Sequence, residues 1–317
     1  MDTSASKEAS SSSSQDSGAG EEATISPVKK ASFLSSYRIQ SFSLPDSIMF
    51  YMAKNPPSAE IYQKLIQSCK YFFVKNPLLV VSELHLGYRN GWHTCGDEEK
   101  IDLKNIPHKL WISRNLNVVV NCGIVHIDAC NGQDRFFVSS LISKFYRCDV
   151  TKLTLQRQTI SFKDFIFLAS NVESLQLTNA LNILNEDGSV ATLEKIVEAL
   201  PKLTYFEFCF DTDVPEVVTP KTIHNLLKIP HFSNLTRLGM SNVPQLMDID
   251  ALYAFVKKNK KTKLSLSFLT ISEGYRNHLQ AIVDDVIQSG NRDFIPPYFD
   301  FPDMDQFAYD KLCELTI

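Results

Sequence analysis

VTKLTL (residues 150–155) and VESLQL (172–177) share one pattern, in which apolar residues occupy the first, fourth and sixth places. The same pattern recurs in CGIVHI (122–127), LTYFEF (203–208), LTRLGM (235–240) and KTKLSL (261–266), the last with Lys at its first place. Successive segments are roughly 20–30 residues apart, which is the period of proteins built from stacked repeats. The apolar alternation at the end of each segment predicts a strand with one buried face.

Helical patterns separate these strands. They cover residues 135–146, 161–170, 189–201, 219–230 and 248–259. Two of them carry start signals, because Thr219 is followed by Pro220, and either Asp248 or Asp250 is able to cap the last helix. Strands that alternate with helices in this way predict an α/β fold with a parallel sheet.

The L-x-x-L-x-L strand followed by a helix resembles leucine-rich repeats of the long, irregular type, over residues 118–270. The resemblance implies a solenoid of alternating strands and helices in which the parallel sheet is curved. An ordinary α/β domain whose strands have this spacing by coincidence is the alternative interpretation.

A second apolar region precedes the repeats: SLPDSIMFYMAKNPPSAEIYQKLIQSCKYFF (43–73). Its first part predicts a short helix that Ser43 caps, with Pro45 in the first turn. Residues 55–58 (Asn-Pro-Pro-Ser) must end that helix, because proline cannot continue it. Residues 61–73 predict a second helix with a broad apolar face. Two short helices need a partner surface to bury such faces.

The Leu-Pro opening, the loop and the later Leu-x-x-x-Cys-Lys-x-Phe (65–72) resemble the F-box. This module docks onto the adaptor subunit of cullin-RING ubiquitin ligases. The resemblance implies adaptor-binding roles for Leu44, Pro45, Ile48, Met52, Leu65, Cys69 and Phe72.

An F-box followed by leucine-rich repeats is a layout of ligase substrate receptors, and this version resembles the expanded F-box families of nematodes. The layout implies a non-catalytic subunit that brings a target close to a ubiquitin-charged enzyme. The alternative is a leucine-rich-repeat scaffold or signalling adaptor whose N-terminal helices only cap the solenoid.

Pattern and composition divide the chain into five parts. These are a disordered Ser-rich tail (1–38), the F-box-like helical module (39–76), a linking or capping segment (77–117), the leucine-rich-repeat-like solenoid (118–270) and a C-terminal helix and cap (271–317). The tail has few apolar residues to bury, which is typical of disorder. In the last part, we expect Tyr309, Leu312 and Leu315 to pack inward and close the far end of the solenoid.

Strand alternation predicts which residues a target would contact. Side chains between the buried apolar positions project from the opposite face of the sheet. The candidate target-binding residues are Lys152, Thr154, Gln156, Gln176, Tyr205, Glu207, Arg237, Ser241 and Lys263. This set is polar and mixed in charge, so we expect a protein or peptide ligand, with Tyr205 and Arg237 as the main contributors. For each residue, the alternative is a solvated strand position.

Composition and motifs argue against several other functions. The formal net charge of −4 gives no basic field for nucleic acid, and no apolar run approaches the roughly 20 residues of a membrane span. Seven scattered cysteines without a CxxC pair are typical of reduced thiols in the cytosol or nucleus. No nucleophile or phosphate-binding motif occurs, and His85, His93 and Cys95 lack the spacing of a zinc site. The sequence predicts a cytoplasmic or nuclear protein without catalytic activity, cofactor or metal.

Overall fold

A computed structural model of the chain describes residues 41–87, 91–94, 102–103, 105–119, 135–178, 182–211, 217–289 and 293–316. Its α-helices are α1 (Asp46–Lys54), α2 (Ala59–Ser68), α3 (Lys70–Lys75), α4 (Phe137–Leu141), α5 (Phe162–Ala169), α6 (Leu193–Glu198), α7 (Thr222–Leu226), α8 (Ile249–Asn259), α9 (Glu273–Gln288) and α10 (Gln306–Thr316). Its strands are β1 (Leu78–Gly87), β2 (Gly91–Thr94), β3 (Lys109–Val118), β4 (Phe145–Cys148), β5 (Lys152–Gln156), β6 (Thr159–Ser161), β7 (Ser174–Thr178), β8 (Asn182–Leu184), β9 (Tyr205–Cys209), β10 (Arg237–Ser241), β11 (Lys263–Ser267) and β12 (Tyr298–Asp300). The predicted tail and the segment 122–127 lie outside the described residues.

Ten strands form one mixed sheet, in the order β12-β11-β10-β9-β7-β5-β3-β1-β2, with β4 beside β3. Its neighbouring strands are parallel, except for the antiparallel pair β1 and β2. From β1 to β12, the strands on this path follow the order of the chain. The strands β6 and β8 form a separate two-stranded sheet. The prediction of an α/β fold with a mostly parallel sheet is confirmed.

The repeated apolar positions lie in register within the sheet. Leu175 pairs with Leu153 on one side and with Phe206 on the other. The row consists of Leu84, Leu116, Leu153, Leu175, Phe206, Leu238 and Leu264, all fully buried. Helical residues such as Phe165 and Leu279 belong to the same apolar cluster, so helices cover this face. The other face, formed by the alternate side chains of β5, β7, β9, β10 and β11, is called the open face below.

The helices predicted between the repeat strands are present with narrower bounds, and the end of the first prediction is wrong, because Phe145 and Tyr146 belong to β4. The Asp248 carboxylate accepts a backbone N–H of the first turn of α8 at 2.9 Å, so Asp248 rather than Asp250 is the cap. The predicted Thr219 cap is wrong, because α7 begins at Thr222 and Lys221 precedes it. The Thr219 hydroxyl instead accepts the Lys221 N–H at 3.2 Å, which shapes the turn before the helix.

Three helices, rather than the predicted two, precede the sheet in the described residues. The break at residues 55–58 is confirmed. The predicted second helix is interrupted at Cys69, which has an extended backbone (φ −156°, ψ 129°) and whose sulfur accepts the Tyr71 N–H at 3.3 Å. The predicted Ser43 cap is wrong, because Pro45 precedes α1 and no described side chain caps its first turn.

The helix α2 packs against the sheet through a small cluster separate from the main core. The cluster consists of Ala59, Tyr62, Leu78 and Trp111. The neighbours of Trp111 in β3 belong to the main core, so strand alternation turns the indole ring to the opposite face of the sheet. The Tyr62 hydroxyl donates to the Asn76 carbonyl at 2.6 Å and accepts the Leu78 N–H at 3.0 Å. The segment 77–117, which the sequence predicts as a linking or capping segment, thus contains β1, β2 and most of β3. These strands belong to the main sheet, and α2 packs on β1 and β3.

The C-terminal helix α10 packs beside β12 through a narrower stripe than the sequence predicts. Leu312 is fully buried and Ala308 is nearly so. Tyr309 and Leu315 are 36% and 38% exposed, so the expectation of inward packing is wrong for these two residues. The helix reaches the sheet mainly through positions four residues apart, which lie on one side of it.

Candidate binding surfaces

The helix α1 presents an apolar surface to solvent. Leu44, Ile48, Tyr51 and Met52 are 47%, 46%, 66% and 36% exposed, and together they are called the α1 surface. Met49 and Ala53 lie on the inner side of the helix, where they pack against Phe72 of α3. Positions three and four residues apart share a helix face, so the sequence places one apolar set inward and a second set outward. The outward-facing apolar side chains of the α1 surface are therefore exposed to solvent and do not belong to the core.

The predicted adaptor-binding residues divide between this surface and the cluster beneath it. Pro45 is exposed beside the α1 surface, whereas Leu65 and Cys69 are half-buried against the inner cluster. Phe72 is only 4% exposed and packs on Met49. A buried ring cannot touch a partner directly, so Phe72 supports α1 from below, and its predicted place on a docking surface is wrong.

The predicted target-binding residues all lie on strands of the open face. Lys152 and Ser241 are exposed, and the others are partly exposed. The register of the strands places Lys152, Tyr205, Arg237 and Lys263 in one row near the amino ends of the strands, with Ser174 between the first two. Thr154, Gln176 and Glu207 form the next row. Gln156 and Ser241 lie one step further along their strands, beyond the second row. Residues far apart in sequence therefore meet in polar rows across the strands.

A connected network joins these rows around the Glu207 carboxylate. The Thr154 hydroxyl donates to Gln176 Oε1 at 3.1 Å, and Gln176 Nε2 donates to Glu207 Oε2 at 2.7 Å. The Tyr205 hydroxyl donates to Glu207 Oε1. Burial raises the pKa of the Tyr205 phenol, and the neighbouring Glu207 carboxylate raises it further. The phenol therefore stays protonated and remains a donor at neutral pH.

Arg237 lies against the same carboxylate. Its Nε is 3.3 Å from Glu207 Oε1, although the N–H is not aimed at that oxygen, so the contact is an ion pair without a directed hydrogen bond. The guanidinium carbon stands 5.6 Å from the centre of the Tyr205 ring, within the range of a cation–π interaction. Gly239 faces Glu207 across the strand pair, and a Cβ at that position would lie 3.0 Å from Glu207 Cγ. The absent side chain leaves room for the carboxylate to reach Arg237.

The sequence pattern missed the extension of this polar face onto β1 and β2. The His85 and His93 rings pair in register and stack with centres 5.6 Å apart, and His85 Nε2 lies 3.2 Å from Glu83 Oε2. An irregularity between Val81 and Glu83 shifts the alternation of β1, so a simple period of two does not reveal it. The one available signal is the alternating Glu-x-His of residues 83–85.

Clusters of metal-ligating side chains, cavities and long apolar helices were also sought in the described ranges. They contain no group of three or more His, Cys, Asp or Glu side chains placed to hold a metal ion. A cavity of about 570 Å³ opens beside the start of α5, where Lys195 Nζ lies 4.6 Å from the centre of the Phe162 ring and donates to Asn185 Oδ1 at 2.7 Å. Lys195 is thus already engaged. No helix in the described part of the chain is long and apolar enough to cross a membrane.

Comparisons with protein-family models, with curated proteins and with solved structures found no match to this chain. The resemblances to the F-box and to leucine-rich repeats therefore rest on the residues quoted above.

Proposed function

We propose that the chain is the substrate-receptor subunit of a cullin-RING (SCF-type) ubiquitin ligase, acting in the cytoplasm or nucleus. The α1 surface binds the adaptor subunit, and the open face binds a target protein. The observation that carries the proposal is the exposure of four large apolar side chains, one just before α1 and three on it, in the segment that resembles an F-box. Complete burial of a fully exposed side chain of this kind is worth about 1.5–3 kcal/mol, and these four, which are 36–66% exposed, gain roughly half of that each when a partner covers them.

In this proposal the chain performs no chemistry of its own. It contributes to ubiquitin transfer by holding a target near a charged enzyme, which replaces a bimolecular encounter with a local one. The two surfaces suit that task because their chemistry differs. The α1 surface is apolar, whereas the open face is polar and mixed in charge.

Co-purification of the full chain with the ligase adaptor tests the adaptor half of the proposal. We expect the double variant Leu44→Ala, Ile48→Ala to lose adaptor binding by about tenfold or more, because two apolar contacts disappear. The matched control is Phe307→Ala, Leu315→Ala, which removes exposed apolar side chains from α10 and leaves binding unchanged. Absence of adaptor binding by the wild-type chain overturns the receptor proposal.

A non-catalytic repeat scaffold, or signalling adaptor, is the second candidate. The observation that favours it is the attachment of the helices to the sheet. Asn76 Nδ2 donates to the Ala53 carbonyl at 3.0 Å, and Tyr62 and Trp111 pack with ring centres 6.3 Å apart. Such contacts suit a cap that shields the first strands. In that case the wild-type chain leaves the adaptor unbound while still retaining targets on the open face.

A further inference from the structure

We propose that the open face recognises a carboxylate of an acidic peptide segment, which the outer guanidinium nitrogens of Arg237 hold beside the Tyr205 ring. This inference rests on the proposed use of the open face for a target, and it does not depend on the ligase adaptor.

The contacts of Arg237 leave its outer nitrogens available. The side chain is 40% exposed, yet Nε is buried against Glu207, so the exposure belongs to its other atoms. Glu207 is the only ion-pair partner of Arg237 among the described residues. Nη1 and Nη2 present parallel N–H groups in the spacing of a carboxylate, which favours bidentate binding.

The surroundings of Arg237 hold it in place before a ligand arrives. Tyr205 supplies a flat surface 5.6 Å from the guanidinium carbon, and Glu207 anchors Nε. Glu207 is in turn fixed by donors from Tyr205 and Gln176. An arginine that is already oriented loses less conformational entropy when it binds, so more of the contact energy appears as affinity.

The charges of the row favour an acidic ligand. Lys152, Arg237 and Lys263 lie in one registered row of β5 to β11, and the single carboxylate on the open face of these strands, Glu207, lies in the next row. Lys152 is three strands from Arg237, or about 14 Å at the usual strand spacing. A second acidic residue some four or five positions along an extended peptide spans that distance.

A carboxylate suits this site better than a phosphate. Phosphate recognition in proteins relies on several converging cations or N–H groups. Here one arginine stands beside a carboxylate that is already ionically paired, and the nearby negative charge disfavours a doubly charged ligand. The group that Arg237 binds is therefore the carboxylate of an Asp or Glu side chain of the target.

A display library of random peptides, selected on the immobilised full chain, tests the inference. We expect the selected peptides to be enriched in Asp and Glu. Affinity for the leading peptide should fall about ten- to hundredfold in Arg237→Gln, because a charge-assisted bidentate contact is lost. Arg237→Lys keeps the charge but lacks the two parallel N–H donors of the guanidinium group. Its affinity for the peptide should lie between that of the wild type and that of Arg237→Gln. Lys228→Gln, a matched change outside the open-face strands, should leave affinity unchanged.

Each other outcome overturns the inference. Selection without acidic enrichment, failure to select any peptide, or equal binding by folded Arg237→Gln removes the carboxylate site. A leading peptide that binds at least tenfold better with phosphoserine in place of its Glu assigns the site to phosphate instead. Adaptor co-purification is scored separately on the same preparations. Loss of adaptor binding alone therefore counts against the ligase role, whereas loss of acidic selection alone counts against the Arg237 site.

Discussion

At the residue scale, Glu207 organises the open face because it accepts from two neighbours and pairs with a third. Its place depends on Gly239, where an added methyl group would meet Glu207 Cγ at 3.0 Å. The sequence pattern predicted the outward position of Glu207, since alternation alone decides it. The pattern gave no sign that Gly239 makes room for it, because that contact joins residues on different strands.

The first prediction concerns Gly239→Ala, measured by urea unfolding. We expect the free energy of unfolding to fall by about 1 kcal/mol, because the methyl group displaces a carboxylate held by two hydrogen bonds and an ion pair. In the Glu207→Ala background the same change should instead raise it by up to about 1 kcal/mol, since alanine is less flexible than glycine in the unfolded chain. Equal effects in both backgrounds contradict the contact.

The second prediction concerns Tyr275, whose hydroxyl is buried without a hydrogen-bond partner among the described residues. We expect Tyr275→Phe to raise the free energy of unfolding by about 1 kcal/mol, because an unsatisfied buried group is removed. Tyr253→Phe is the matched control and should lower it, since the Tyr253 hydroxyl donates to Asp285 Oδ2 at 2.8 Å. Thermal unfolding of the two variants measures the opposite signs.

The pH dependence of stability provides the third prediction. Burial raises the pKa of Tyr275 from 10.0 to about 12, with smaller contributions from Asp250 and Asp248. The folded state therefore keeps this proton longer than the unfolded chain does. Ionisation of Tyr275 therefore costs stability: it has no effect below pH 10, and the free energy of unfolding falls as the pH rises from about 10 to about 12. Tyr275→Phe should lose stability less steeply across that interval in denaturant titrations, and an unchanged slope contradicts the assignment.

At the element scale, Cys69 divides what the sequence presents as one helix. The apolar positions continue through residues 61–73, so periodicity predicts a single helix. The structure ends α2 at Ser68 and begins α3 at Lys70. A cysteine seldom signals a cap, and nothing in the periodicity distinguishes two helices with aligned apolar faces from one. Proline breaks such as residues 55–58 were predictable because their effect on the backbone is local.

The fourth prediction follows from the thiol cap of α3. We expect Cys69→Ser to keep or raise the melting temperature, because a hydroxyl is a stronger acceptor for the Tyr71 N–H than a thiol is. Cys69→Ala should lower the free energy of unfolding by about 0.5–1 kcal/mol, since the cap is lost. Thermal scans under reducing conditions compare the three proteins. A serine variant less stable than the alanine variant argues against capping.

At the scale of the whole molecule, the cluster of Ala59, Tyr62, Leu78 and Trp111 attaches the helical module to the sheet, together with exposed hydrogen bonds such as that from Tyr146 to the Lys54 carbonyl. The repeat pattern predicted β5, β7, β9, β10 and β11 and their buried row, because each repeat carries its own apolar signal, but it did not predict the other strands. It did not predict the tie between α2 and β3, since Tyr62 and Trp111 are ordinary aromatic residues in sequence and meet only in three dimensions. The candidate site was predictable to the same extent. Strand faces were foreseen, whereas the contacts between side chains were not.

The fifth prediction tests this attachment with Tyr62→Phe. The change leaves the Leu78 N–H and the Asn76 carbonyl without the Tyr62 hydroxyl, so we expect a loss of about 1–3 kcal/mol. Hydrogen exchange should accelerate in residues 46–80 and stay unchanged in β9 to β11. The matched control, Tyr146→Phe, removes an exposed bond to the Lys54 carbonyl and should cost less than about 0.5 kcal/mol. Uniform acceleration across the sheet contradicts a local attachment.

The coincidence of chain order and sheet order from β1 to β12 bears on how such a protein changes over evolutionary time. A duplicated strand and helix needs to match only two neighbours, so gene duplication is able to widen the sheet without rethreading the chain. Each added strand widens the face by about 4.8 Å. The width of the open face is thus adjustable in whole steps, while the group around Glu207 remains intact.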